Sequence, residues 1–540
     1  MLRINDRGQH MTTKVLITGA LHDEAVQRFK SNVELDITYQ PDPARSQLLE
    51  LIKDAAVLVS RSETTVDKEL IDAAPQLKIV ARAAVGVGNI DTDYATEKGI
   101  LVINCPGKNT NSAAELTLAL LLGMFRNVPQ AHQKMKSGGW DRHMFSGNEL
   151  RGKKIGIVGL GNVGHRVAKF AKGYDMEVFA YDPYISPTVF QQNHCEPCKD
   201  LKELAEKVDI LTVHVPLNKE TKGMVDNAIL AAMQKGSFVV NAARGGVIAE
   251  QDLVEALNSG HIAGAALDTF ENEPQPLPDL INHDKVWCTP HIGATTLEAQ
   301  LAIGHTIYEQ VEKAVEGGVV DYPINLPQVG VIDNPLLKSY AVLAEKLGSL
   351  VGQIIDFNPV SVDMSYRGNI AGEDQSLVRL GFMKGYAGQV VDGFVSYVNA
   401  EKSFEKLGIS VNEKEDPVFE SYKSALKIWV NGSGNKKLTV GGVVFDDKYL
   451  RITLVNDFYF EIEPNGELIL VNNRDVPGVI GDVGHYLASN QINIDTFALS
   501  RNRKGGSAMA LLKVDSELDA AQKKGMLGIK NVTSVKTVTL

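Results

Sequence analysis

The stretch from Lys153 to Asp182 restricts what this chain can fold into more than any other. Lys153 to Val158 reads Lys-Lys-Ile-Gly-Ile-Val, an apolar run of strand length. Gly159-Leu160-Gly161-Asn162-Val163-Gly164 follows, then a helix-compatible run to Tyr174. Glu177 to Tyr181 is a second strand pattern, and it closes on Asp182. Strand, glycine turn, helix, strand and terminal acid together predict a dinucleotide-binding unit, where a lone glycine motif would be weak support. In that reading Gly159 permits the tight turn, Gly161 lets backbone approach a pyrophosphate, and Gly164 lets helix pack on strand. The pyrophosphate would sit at the helix N-terminus, whose free N–H groups and dipole favour an anion. Asp182 is placed to accept both ribose hydroxyls and to repel a 2′-phosphate. No Arg follows it, so the cofactor is read as NAD, not NADP.

The same texture extends on both sides. Lys14–Thr18, Val57–Ser60, Lys78–Ala81 and Ile100–Asn104 read as buried strands separated by loops and helical segments. Later strands are expected at Ile210–His214, Phe238–Asn241 and Ala263–Leu267. Alternating strand and helix predicts doubly wound parallel sheets. Ser112–Asn127 is expected to be a connecting helix, and Glu298–Glu316 a helix that returns the chain to the first unit. The expected division is a disordered leader over 1–13, with Met11 as a candidate start, and a substrate-binding domain over 14–107 and 298–326. A Rossmann domain covers 108–297, an α+β intervening domain 327–464 and a ferredoxin-like domain 465–540. In the intervening part Pro335–Ile355 reads as helix, Asn431–Asn435 as a turn and Tyr449–Glu463 as one alternating strand. The last unit reads strand, helix, strand, strand, helix, strand, the split βαβ order.

The 540 residues suffice for several cores, and the net charge of −11 argues against nucleic acid or an anionic membrane as partner. No apolar run reaches the ~20 residues of a membrane span. Four cysteines are too few for a disulfide framework, so a reducing, cytoplasmic setting is expected. Cys195 and Cys198 form a CxxC, read as a surface loop because no second pair stands nearby; no metal is expected.

Three polar residues fall at strand ends or just after them, where such sheets carry their sites: Arg244, Glu273 and His291. Oxidising a 2-hydroxy acid needs a base for the hydroxyl proton, and His suits this near neutral pH. A carboxylate on the other ring nitrogen, here Glu273, fixes the tautomer. A planar cation, here Arg244, suits two-point capture of the substrate carboxylate.

Arg244, Glu273 and His291 with their flanks resemble the Arg–Glu–His triad of the D-isomer-specific 2-hydroxyacid dehydrogenases, over about Lys14 to Leu326. Arg61–Thr65, Arg82–Asp91 and Asn109–Leu116 are more narrowly similar to the subfamily acting on D-3-phosphoglycerate. The resemblance implies that Gly86, Val87 and Arg244 hold the carboxylate. It implies that Arg61 and Arg82 face the anionic end, that Asn109 lines the substrate site, and that Arg142 reaches a neighbouring subunit. Asn162, Val163, Val215, Ala242, Asp268 and Val85 match cofactor-contacting positions, although Val85 and Val215 lack a hydroxyl that is frequent there, and Gly88 replaces a frequent Asp. Pro335–Pro464 resembles an intervening domain of long-form members, and the tail from Glu467 an ACT regulatory domain. That implies a homo-oligomer and an effector, read as L-serine, at Asn473, Asp475, Val479 and Asn493. Two other readings stay open: reduction of glyoxylate or hydroxypyruvate, and a non-enzymatic NAD-dependent role like that of the carboxy-terminal binding protein corepressors.

Overall fold

The structure, a computed structural model, describes residues 12–316, 320–326, 334–417 and 422–540. The expected leader up to residue 11 and the start of the intervening segment at 327–333 lie outside the described residues.

The first sheet has five parallel strands: β1 Thr13–Ile17, β2 Leu35–Tyr39, β3 Val57–Ser60, β4 Ile79–Arg82 and β5 Leu101–Ile103. Their order is 2-1-3-4-5. β3 and β4 are buried at every position, which is why they read as continuous apolar runs. β2 escapes a run-based reading because it is an edge strand, Leu-Asp-Ile-Thr-Tyr, buried only at its first residue.

The second sheet has seven parallel strands: β6 Lys154–Val158, β7 Glu177–Tyr181, β8 Glu196–Pro197, β9 Ile210–Val213, β10 Ser237–Asn241, β11 Ile262–Leu267 and β12 Val286–Cys288. The order 12-11-10-9-6-7-8 reverses between β6 and β9, and a crevice opens at such a switch point. The connecting helix, Thr110–Phe125, buries Leu118, Leu121, Met124 and Phe125 in the core of this second unit. The Leu297–Val315 helix instead buries Ile303, Ile307 and Val311 with Val15, Val26 and Phe29 of the first. Cys195 and Cys198 are not on a surface loop. They flank β8, lie 6% exposed in two separate cores, and burial pushes both thiols up to about 11. A two-residue edge strand leaves no apolar run to announce that burial.

The third sheet comprises β13 Pro359–Gly368, β14 Ser410–Asp416, β15 Ser424–Gly432, β16 Lys437–Phe445, β17 Tyr449–Val455 and β18 Phe458–Ile462, in the order 14-13-15-16-17-18. The single strand expected over Tyr449–Glu463 is a hairpin, turning at Asn456 (φ 53°) and Asp457. Asn tolerates that left-handed backbone, so the break leaves the alternating pattern intact. Helices Pro335–Ile354 and Ser376–Val390 pack on each other in backbone contact, and the first of them also lies against β16 and β17. A Cβ added at Gly381 would lie 2.3 Å from Ala341 O, and one at Gly385 1.9 Å from Glu345 O. One at Gly348 would lie 2.3 Å from Phe382 O.

The tail has strands β19 Glu467–Arg474, β20 Ile494–Arg501, β21 Ser507–Val514 and β22 Val532–Thr539, antiparallel in the order 20-21-19-22. Helices Val479–Ser489 and Ala520–Leu527 complete the ferredoxin-like order. Gln353 at the end of the first intervening helix bonds both ways with Thr539: Nε2 to O at 3.0 Å, and N–H to Oε1 at 3.1 Å. Lys536 Nζ donates to Ile354 O. Where the intervening domain meets the first sheet, Ser396 Oγ donates to Gly99 O at 2.8 Å. No described helix is long and apolar enough to cross a membrane.

Candidate active site

The glycine turn after β6 is sterically forced. Gly159 has φ 87°, and a Cβ there would sit 2.6 Å from Val215 Cγ1 and 2.8 Å from His214 O. A Cβ at Gly164 would sit 2.1 Å from Gly159 O. Gly161 is different: it precedes the Asn162–Gly173 helix as N-cap, and its missing Cβ points into open space. Closed packing on both sides of an open middle glycine fits a pyrophosphate over the helix N-terminus. Asp182, at the end of β7, accepts from Leu160 N at 2.9 Å and from Tyr184 N at 3.0 Å. The acid thus clasps the turn, and each carboxylate oxygen keeps a lone pair beyond these two bonds. Val163, Val215 and the buried Ala242 border the same turn and the end of β10.

Glu273 and His291 come together from two different loops. His291 Nδ1 and Glu273 Oε2 are 2.7 Å apart. Glu273 Oε1 accepts from Phe270 N at 2.9 Å, which fixes the carboxylate. Burial works to raise the Glu273 carboxyl, but the bonds from His291 and Phe270 and the charges of His291 and Arg244 hold it below its ordinary value. An ionised carboxylate only accepts, so the imidazole proton sits on Nδ1 and the lone pair on Nε2. His291 has φ 53°, a left-handed backbone uncommon for a non-glycine residue.

That backbone is held by Asp268. Its Oδ1 accepts from Thr289 Oγ1 at 2.6 Å and Ile292 N at 2.8 Å, and its Oδ2 from Gly293 N at 2.9 Å. Asp268 is fully buried; burial raises its carboxyl, against the pull of those three donors. Asp268, a position the resemblance matches to the cofactor's surroundings, thus also anchors the turn that carries His291.

Three guanidinium groups stand close. Arg244 lies on Gly86, where a Cβ would be 2.9 Å from its Nη2, and burial lowers its pKa while Glu273 opposes that. Arg82, 5% exposed, donates from Nε to Gly86 O at 3.1 Å and from Nη2 to Ser62 Oγ at 3.3 Å. Burial and then repulsion from Arg61 bring Arg82 down to about 10, with Arg244 adding to the repulsion. Arg61 Nε and Arg82 Nη1 are buried with no acceptor among the described residues. Three guanidinium groups this close together make the local potential positive. Val85 and Val87 bracket Gly86; Asn104 Nδ2 donates to Val85 O at 2.7 Å. Asn109 is the N-cap of the connecting helix and makes no side-chain capping bond. Arg142 stands apart, opening the exposed 3-10 turn Arg142–Phe145.

In the tail, Asn473 is 4% exposed, with Nδ2 bonded to Arg474 O and Oδ1 buried without a partner among the described residues. Asp475 Oδ2 accepts from Arg501 Nη1 at 3.3 Å and Gly505 N at 3.0 Å. Val479 opens its helix behind Gly478, φ 99°. Asn493 instead donates to Asp515 Oδ2 at 3.0 Å.

Comparisons with known proteins agree with this geometry. The model of the D-isomer specific 2-hydroxyacid dehydrogenase NAD binding domain matches residues 118–293, and that of the D-3-phosphoglycerate dehydrogenase intervening domain matches residues 336–456. A D-3-phosphoglycerate dehydrogenase from Methanocaldococcus jannaschii is 38% identical over 527 residues, covering 98% of this chain and 100% of that one. One from Bacillus subtilis is 38% identical over 483 residues, 89% of this chain and 92% of that one. A solved glyoxylate reductase from Paecilomyes thermophila superposes with TM-score 0.53 and 28% identity, over 58% of this chain and 98% of its own. A D-lactate dehydrogenase from Aquifex aeolicus, solved with NAD and lactic acid, gives 0.51 and 26% over 56% and 96%. The chain therefore belongs to the D-isomer specific 2-hydroxyacid dehydrogenases, and its cofactor is NAD. Within that class it falls with the D-3-phosphoglycerate dehydrogenases that carry an intervening domain.

Proposed function

We propose that this enzyme oxidises D-3-phosphoglycerate to 3-phosphohydroxypyruvate, the first step of L-serine synthesis. The substrate carboxylate lies against Arg244 and the Gly86–Val87 backbone. The phosphate end lies toward Arg61 and Arg82. His291 Nε2 takes the C2 hydroxyl proton, and Glu273 stabilises the imidazolium that forms. NAD, when bound, accepts the hydride from C2. The turn Gly159–Gly164, with Asn162 and Val163, and Asp182 would hold it, with Val85, Val215 and Ala242 alongside.

The observation that carries the phosphate assignment is the pair of buried, unspent donors on Arg61 and Arg82. Glyoxylate and hydroxypyruvate would leave them unspent. Arg61→Ala is expected to lower kcat/KM for D-3-phosphoglycerate by ~10²-fold, and that for D-glycerate by much less. Equal losses on the two substrates would place the phosphate elsewhere.

Asp182→Ala should weaken NAD far more than NADP, because it removes an acceptor and the charge that rejects the 2′-phosphate. An unchanged NAD/NADP ratio in initial-rate assays would show that this carboxylate does not face the ribose.

The tail is read as an L-serine sensor that works across a homo-oligomer, with Arg142 meeting the neighbouring subunit. The buried, unpartnered Asn473 Oδ1 beside Asp475 supports this reading. A ligand shifts activity only by its preference between two states, typically about 1–3 kcal/mol. Serine inhibition of the full-length enzyme should be partial or sigmoidal, non-competitive with phosphoglycerate, and lost in Asp475→Asn. Calorimetry showing no serine binding would remove serine as the effector. All four cysteines are free, which supports a reducing, cytoplasmic setting.

A further inference from the structure

We propose that Gln300 is a positioning residue that links phosphate binding at Arg61 to the placement of His291; this rests on the assignment of Arg61 to the phosphate. Arg61 is laid down with unusual closeness. A Cβ at Gly19 would sit 2.3 Å from Arg61 Cγ, so only glycine leaves room for that side chain. Its Nη1 donates to Ala20 O at 2.8 Å and to Gln300 Oε1 at 2.7 Å. The other end of the same amide, Gln300 Nε2, donates to Ala294 O at 2.7 Å.

Ala294 belongs to the turn that carries His291, immediately after the two N–H groups held by Asp268. The helix bearing Gln300 is itself fixed at its start. Thr296 Oγ1 accepts from Ala299 N at 3.2 Å and meets Ser112 Oγ at 2.8 Å. One side chain therefore joins a cation after β3 to the segment after β12, which belong to different sheets.

The residue type follows from the two bonds. One end must accept from a guanidinium and the other must donate to a carbonyl. Glu cannot do the second and Lys cannot do the first; an amide does both. When an anion draws Arg61, the bond to Oε1 carries the displacement to Ala294 and so to the His291 turn. Binding at a remote, unreacting phosphate then raises turnover as well as affinity.

The test compares kcat and KM for D-3-phosphoglycerate and D-glycerate at saturating NAD. The proteins are the full-length wild type, Arg61→Ala, Gln300→Ala, Gln300→Glu and the Arg61→Ala/Gln300→Ala double variant. Gln300→Ala should lower kcat for the phosphorylated substrate about tenfold and leave that for glycerate within about twofold. Gln300→Glu, which keeps the shape and the acceptor but cannot donate to Ala294, should behave alike and guards against a folding defect. The two single losses should not add in the double variant, because both cut one connection. Additive losses, or equal losses of kcat on both substrates in the Gln300 variants, would overturn the proposal. Equal losses in Arg61→Ala alone would instead overturn the phosphate assignment on which it rests.

Discussion

His291→Ala is expected to lower kcat for phosphoglycerate oxidation by about 10²–10⁴-fold while NAD still binds. The loss is large because the charged groups beside His291 are unsuited to take the hydroxyl proton. Glu273 is spent on His291 and Phe270 N, and Arg244 and Arg82 are cations. NAD binding survives because the glycine turn and Asp182 sit at the other side of the sheet's switch point, after β6 and β7. Glu273→Gln should cost less, since the amide oxygen still accepts from Nδ1. It removes the charge that favours the imidazolium as it forms, so turnover should still fall. Near-normal turnover in His291→Ala, measured by stopped-flow with a fluorescence titration of NAD beside it, would remove His291 as the base.

The second large effect is expected from Arg244→Lys, which keeps the charge and loses the fork. Arg244 lies close over Gly86, with Nη1 donating to Ala243 O at 2.6 Å. A single ammonium cannot hold a carboxylate at two points. The C2 hydrogen and hydroxyl then lose their fixed direction toward the cofactor and His291. Misplacement of this order costs ~10²-fold in kcat/KM. Its neighbour admits no repair, because a Cβ at Gly245 would lie 1.8 Å from Phe270 O. Arg244→Lys with kcat/KM close to wild type would show that two-point capture is not made here.

What could be read in the residues was what local pattern encodes. β3, β6 and β9 are apolar throughout or nearly so, and the acid after β7 stands in register with the turn it clasps. Arg244, Glu273 and His291 stood out as candidates because each carries unusual chemistry for a loop in the stretches between β10 and the Leu297–Val315 helix. β2, β8 and β12 were not legible, since Leu-Asp-Ile-Thr-Tyr, Glu-Pro and Val-Trp-Cys offer no continuous aliphatic run, whereas the equally short edge strand β5 sits inside one, Ile100–Ile103. Nor was the burial of Cys195 and Cys198, or the turn at Asn456. The anchoring role of Asp268 and the bridge through Gln300 depend on partners distant in the chain. No spacing rule reveals that an amide on a helix spans to Arg61.

The glycine seam between helices Pro335–Ile354 and Ser376–Val390 works as a vernier. Carbonyls of one helix sit where the other has no Cβ, at Gly381 and Gly385 against Ala341 and Glu345, and at Gly348 against Phe382. Sliding either helix by one residue, about 1.5 Å, would drive a Cβ into a carbonyl. The axial setting is thus fixed by shape, with Lys384–Glu345 at 2.7 Å and Gln389 Nε2 donating to Ser349 Oγ at 3.2 Å across the same seam. Gln353 and Ile354, which grip Thr539 and Lys536, lie at the end of that scale. The seating of the C-terminal sheet is thus graduated by glycines in another domain.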